Sequence, residues 1–212
     1  QMCIRDSHYG ITFGLNLKKI HINKQQEKLL KGCMQNERLS QKKLYELYYG
    51  RMMSVCMRYS NNRETARDVL NEGFLKVFKH LKTYEPHHSL ESWIKRIMIN
   101  TAIDHYRKHK KHSHQVDLEK ASHFVSDTNS DISVISSLSA QEIMQLVQRL
   151  SPAYRTVFNL YVIEGYKHHE IAKMLEISVG SSKSNLAKAK ANLRKMIAVS
   201  YTHLRAHETL TD

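Results

Sequence analysis

Seven glycines and two prolines in 212 residues supply too little turn chemistry for the many hairpins of an all-β fold. Leu, Lys, Ala, Glu, Gln and Met, all good helix formers, are plentiful. The fold is therefore expected to be all-α. With 41% hydrophobic residues the chain can bury one or two modest cores, and its length favours two small domains over one large one.

Apolar periodicity places the helices. From Glu64 onward, Ala66, Val69, Leu70, Gly73, Phe74, Val77, Phe78 and Leu81 keep the i, i+3, i+4, i+7 spacing of an amphipathic helix. The other face carries Arg67, Asp68, Asn71, Glu72, Lys76 and Lys79, a solvated face or a partner surface. Ahead of it Leu44, Leu47, Tyr48, Met52, Val55, Cys56 and Tyr59 predict a helix over about 40–59, with Asn61-Asn62 as the turn. Pro86 breaks the pattern and Ser89 can cap the next helix, which spans about 90–110.

That helix has a core stripe of Leu90, Ile94, Ile97, Met98, Thr101 and Ala102. A second line holds Trp93, Ile97, Asn100, Asp104 and Arg107 and runs into the basic end Arg107-Lys108-His109-Lys110-Lys111. Two readings of this line stand on pattern alone. One is a core Trp with a frayed basic end; the other is a surface for melted DNA, where rings stack on bases and cations neutralise phosphates.

Residues 113–137 lose hydrophobicity and gain Ser, Asp, Asn and His, which predicts a flexible linker between two domains. The second domain is expected over 138–198. Its first helix carries Ile143, Leu146, Val147 and Leu150, and Ser151-Pro152 opens a second that holds Val157, Phe158, Leu160, Tyr161 and Ile163 and stops at Gly165. A short helix follows over 166–175, then the turn Glu176-Ile177-Ser178. The last helix alternates Ser182, Leu186, Ala189, Leu193 and Met196. Short helix, tight turn and longer helix make a helix-turn-helix. In a DNA reader Gly180, Ser181, Lys183, Ser184 and Asn185 would approach base edges, with Lys188, Lys190, Arg194 and Lys195 nearer the backbone. A helical hairpin inside a core is the alternative, but four cations on one long helix beside small polar residues favour DNA.

The net charge of +13 points to an anionic partner, most commonly nucleic acid in a soluble chain. No apolar run approaches the roughly 20 residues of a membrane helix and no signal peptide opens the chain, so a cytoplasmic protein without membrane insertion is expected. Cys3, Cys33 and Cys56 show no zinc or disulfide spacing, and Cys56 sits on an apolar stripe. The fourteen histidines, among them His87, His88, His109, His112 and His114, have no carboxylate or cysteine to complete a ligand set. No catalytic residues, metal, cofactor or small-molecule substrate are expected, since no P-loop, nucleophile elbow or paired metal carboxylates occur. Segments 1–23 and 199–212 lack a period and are expected to be tails, the first disordered. Their strings QMCIRDS and VSYTHLRAHETLTD are similar to translated sequencing-adapter read-through, which would make them non-native.

Taken together, both domains resemble the extracytoplasmic-function group of bacterial RNA polymerase sigma factors over about residues 38–197. The string TARDVLNEGFLKVFKHL is similar to the acidic helix with which that group docks on the clamp helices of the polymerase's largest subunit. The resemblance implies polymerase binding by Asp68, Asn71 and Glu72. SLESWIKRIMINTAIDHYRKHKK resembles the group's minus-ten helix, and the preceding loop corresponds to the segment that captures an extruded base. Minus-ten contacts are thereby implied for Tyr84, His87, His88, Trp93, Arg96, Asn100, Asp104, Arg107 and Lys108, because flipping a base costs a few kcal/mol and needs a pocket with cationic support. The string LSPAYRTVFNLYVIEGYKHHEIAKMLEISVGSSKSNLAKAKANLRKMI resembles the minus-thirty-five domain, implying contacts by Gly180, Ser181, Ser182, Lys183, Ser184, Asn185 and Lys188.

Two departures stand out: Glu176 replaces a usual glycine at the helix end, and Arg67 replaces an acid beside Asp68. The implied function is promoter recognition, DNA melting and transcription initiation with core RNA polymerase, through the clamp helices and flap, with promoter DNA and an anti-sigma factor as further partners. A stand-alone helix-turn-helix regulator binding duplex DNA without polymerase is the alternative. A recombinase-like enzyme would need a nucleophilic Ser or Tyr among catalytic arginines, and Tyr161 and Tyr166 suit core and helix-start positions better.

Overall fold

A computed structural model describes residues 24–86, 89–113 and 140–208, and among these the regular elements are all helical. The expected tail 1–23, His87 and His88, and nearly all of the expected linker lie outside the described residues.

The first set of helices is α1 (Lys24–Met34), α2 (Arg38–Tyr59), α3 (Arg63–His80, continued by a 3-10 turn over Leu81–Thr83) and α4 (Leu90–Ser113). Asn62 starts α3 in extended backbone and its Oδ1 accepts from Thr65 N at 2.8 Å, which satisfies one of the helix's orphan donors. Ser89 makes a longer version of the same cap, with Ser92 N 3.5 Å from its Oγ.

Leu44, Met52, Cys56, Leu70, Phe74, Ile94 and Met98 are fully enclosed where α2, α3 and α4 meet. Each large side chain removed from water there contributes about 1.5–3 kcal/mol. Gly73 sets the approach of α3 to α4: a Cβ at that position would lie 2.3 Å from Met98 Sδ. Leu47, placed on the inner stripe by its spacing, is instead exposed.

The second set is α5 (Ala140–Gln148), α6 (Pro152–Phe158), α7 (His168–Leu175) and α8 (Val179–Glu208). Pro152 occupies the first turn of α6, where its missing N–H costs nothing. Over Asn159–Ile163 α6 widens into a π-helical turn before Gly165 reverses the chain at φ 78°. Glu176 ends α7 in the left-handed region at φ 54°, so the turn keeps the geometry that a glycine would adopt. Ser178 caps α8, its Oγ accepting from Ser181 N at 2.9 Å. α8 continues through Glu208, beyond residue 198 where a tail was expected.

Leu146, Val147, Leu150, Ala189 and Leu193 form a small core under α5 and α8. Val157, Leu160, Ile171, Leu175 and Leu186 belong to the same apolar cluster as the core of the first set. The two helical sets therefore meet over a shared core, and α4 lies against α7.

Candidate polymerase and promoter interface

On α3, Asp68, Asn71, Glu72 and Leu75 follow one another at i, i+3, i+4 and i+7 and share one face. Asp68 and Asn71 are exposed. Tyr45 OH donates to Asn71 Oδ1 at 3.0 Å, and the Tyr45 ring is held against Phe74 with centroids 4.6 Å apart, so the amide is oriented from below. Glu72 is half-buried and pairs with Lys76 Nζ at 3.0 Å, and the same ammonium holds Asp104 Oδ2 of α4 at 3.2 Å. Leu75 is 69% exposed at the end of the stripe. Periodicity passed over it because it lies off the inner face; the available signal was an apolar residue on an otherwise polar face. Asp68, Asn71 and Leu75 thus form an exposed strip along α3 with an apolar end.

Along α4 the expected minus-ten residues divide. Arg96, Asn100 and Lys108 are exposed. Trp93 is half-buried against the core, its ring centroid 5.4 Å from that of Tyr84. Tyr84 itself is only 7% exposed, and burial raises its hydroxyl pKa above the ordinary value. This corrects the expectation that Tyr84 lines an open base-capturing loop: the tyrosine lies at the end of the α3 extension and seals the core beside Leu81 and Leu90. His87 and His88 of that loop lie outside the described residues. Asp104 is taken up by Lys76 and, at 3.8 Å, by Arg107. Arg107 is 24% exposed and reaches the second helical set, with Nη2 3.2 Å from Glu176 Oε1 and 3.4 Å from the Lys173 carbonyl.

His105 and His109, one turn apart, bring their Nε2 atoms to 3.2 Å. Burial first, then His109, lowers the His105 pKa, which disfavours the charged form of the His105 ring. Among the described residues no group of three or more His, Cys, Asp or Glu could hold a metal ion.

The helix-turn-helix presents the N-terminal end of α8. Gly180, Ser181, Lys183, Ser184 and Lys188 are exposed and Asn185 is half-buried. Ser182 departs from the expected minus-thirty-five contacts: it is fully buried, with Oγ 2.9 Å from His168 Nδ1. Its spacing explains this, since Ser182, Leu186 and Ala189 share the inner face of α8. From Val179 to Ala198 the helix carries five cations and no acid, which leaves a uniformly positive outer face.

Two family matches coincide with these two surfaces. Residues 44–112 match Sigma-70 region 2 and residues 140–193 match Sigma-70, region 4. Among curated proteins the chain is 28% identical to the ECF RNA polymerase sigma factor SigW of Bacillus subtilis, over 73% of this chain and 87% of that protein. It is 25% identical to SigM of Bacillus subtilis, over 72% and 92%, and 24% identical to the RNA polymerase sigma-H factor of Pseudomonas aeruginosa, over 71% and 82%. Both regions in this order, together with these relatives, show that the chain belongs to the extracytoplasmic-function group of RNA polymerase sigma factors.

Proposed function

We propose a division of labour over the surface of this sigma factor, which binds core RNA polymerase and directs transcription initiation. The α3 face of Asp68, Asn71, Glu72 and Leu75 docks on the polymerase. The observation that carries this reading is the exposed row itself, with Asn71 pre-oriented by Tyr45. An interface of this kind draws its energy from a few central contacts.

Promoter contact is assigned to two helices. On α4, Arg96, Asn100 and Lys108 meet the minus-ten element, and Trp93 and Tyr84 brace the helix from the core side. Arg107 adds to that positive edge once it is released from Glu176. On α8, Gly180, Ser181, Lys183, Ser184 and Asn185 enter the major groove by the helix's N-terminal end, with Lys188 on the phosphates. The corresponding domains span 24–112 and 138–198.

The chain performs no covalent step in this reading: RNA synthesis is the polymerase's chemistry, and the sigma factor acts in the cytoplasm beside it. Among the described residues no helix is long and apolar enough to cross a membrane.

The test is a pull-down of core RNA polymerase followed by run-off transcription from a promoter library. Asp68→Ala is expected to weaken polymerase binding about tenfold, about 1.4 kcal/mol, with an unchanged circular dichroism spectrum. Full binding by Asp68→Ala would remove the α3 face from the docking site. Tight duplex binding by the chain alone, with no polymerase captured, would favour the stand-alone regulator.

A further inference from the structure

Helix α4 carries two histidines that neither the docking face nor the promoter contacts use. His105 and His109 stand one turn apart, the first half-buried and the second exposed. Side chains at i and i+4 share one face of a helix, and two histidines at that spacing can grip one zinc ion between them. At about 100° per residue, His105 lies about half a turn around α4 from Arg96, off the edge assigned to DNA.

The distance between the rings decides what they can hold. Their Nε2 atoms are 3.2 Å apart, with ring centroids at 4.3 Å and planes inclined by 48°. Two metal–imidazole bonds of about 2.0–2.1 Å, opening at about 90–109°, span about 2.9–3.4 Å between the nitrogens. The observed gap falls inside that bite. Without an ion, the same gap suits a single hydrogen bond in which one neutral ring donates Nε2–H to the lone pair of the other. A cation takes the place of that hydrogen when the donor ring carries its proton on Nδ1 instead. Both Nε2 lone pairs then point into the gap, and the proton count of the pair is unchanged.

The surroundings also bear on a cation here. Glu72 and Asp68 of α3 act on His105 in favour of positive charge, and Lys108 acts against it. Among the described residues no third His, Cys, Asp or Glu completes a metal-holding group, so the remaining coordination positions belong to water. A reading of the sequence that asks for a complete ligand set therefore passes the pair over.

We infer that His105 and His109 form a two-nitrogen chelate for a divalent transition ion of the zinc, nickel and copper class. Neutral imidazole suits these ions, whereas magnesium and calcium prefer oxygen ligands. The inference goes beyond the proposed function and does not depend on it.

The test titrates Zn2+ into the full chain, prepared without a histidine tag, and follows the imidazole nitrogens by long-range proton–nitrogen correlation NMR. The chain has fourteen histidines, so His105→Gln and His109→Gln assign the two signals by difference. Both Nε2 signals are expected to move together and to saturate at one ion per chain, and Mg2+ at the same concentration should leave them in place. Each single variant should weaken this site at least tenfold, with an unchanged circular dichroism spectrum. Zn2+ should raise the thermal midpoint of the wild type more than that of either variant. Movement of only one ring, movement of neither at saturation, an equal response to Mg2+, or a loss smaller than tenfold in either variant overturns the chelate. Because the signals are read in the wild type, a variant that fails to fold does not decide the outcome.

Discussion

Cys33 and Cys56 are both buried thiols without a disulfide partner. Burial first, then Glu37, raises the Cys33 pKa to about 11, and burial raises that of Cys56 to about 12. Since the folded values lie above the ordinary 9.0, folding favours the protonated thiols. Their contribution is whole below pH 9 and is lost as pH rises from there through the folded values. Two outcomes are expected: a thermal midpoint that declines above pH 9, and native thiols at 33 and 56 that resist iodoacetamide at pH about 8, where the thiolate is scarce. Rapid labelling of both in the folded chain would contradict the burial. Cys56 was legible because it falls on an apolar stripe. Ser182 was misplaced because a serine at the start of a recognition helix suits either a base edge or the small-residue layer beneath it, and only its phase with Leu186 and Ala189 separates the two. Ser182→Ala should therefore cost about 1–2 kcal/mol of stability through its buried partner His168, while Ser181→Ala should weaken DNA binding more than it weakens the fold. Denaturant melts and anisotropy on the same two variants distinguish them.

Among the helices, those with long unbroken periodicity, α3 and α8, were readable from sequence with their turns, because burial on one side imposes a repeat that local chemistry does not disturb. α1 was not foreseen. Its buried contacts are few, Leu30 and Cys33, and these apolar residues over Lys24–Met34 are too sparse to register as a stripe until α2 is there to receive them. The role of Gly73 was also invisible, since a glycine at a stripe position looks like a small core residue and only the neighbouring helix reveals how tight the crossing is. Gly73→Ala should destabilise the first domain by about 1–3 kcal/mol, because the methyl would meet Met98 Sδ and overpacking displaces a neighbour. A Gly73→Ala, Met98→Ala double variant should recover part of what is lost at position 73 alone, measured as a positive coupling in a double-mutant cycle. Ser178→Ala, which deletes the α8 cap, should cost about 1 kcal/mol.

At the scale of the molecule the shared apolar cluster implies thermal coupling. Val157, Leu160, Ile171, Leu175 and Leu186 lose their partners if the first set unfolds alone, so calorimetry of the full chain is expected to show a single cooperative transition. Two well-separated peaks would show that the sets melt independently. Two domains were legible from the polar stretch between them, but their mutual contact was not, since beside the apolar cluster it rests on the polar pairs that Gln148, Arg155, Asn159 and Glu164 make with Met57, Asn61, Arg58 and Lys95. Arg155, Asn159 and Glu164 stand on or beside α6 among residues that otherwise look like an ordinary amphipathic helix.

The wide turn over Asn159–Ile163 is a stored residue, one more than an α-helix would spend on the same rise. Its length acts as a phase setting for everything that follows on that helix. Removal of one residue from the stretch would let the backbone revert to α-helical pitch with Glu164 left on its present side of the axis, whereas one further residue would turn Glu164 by about 100°. A single-codon deletion there is thus expected to be tolerated better than a single-codon insertion, because the turn already holds the residue that a deletion would take.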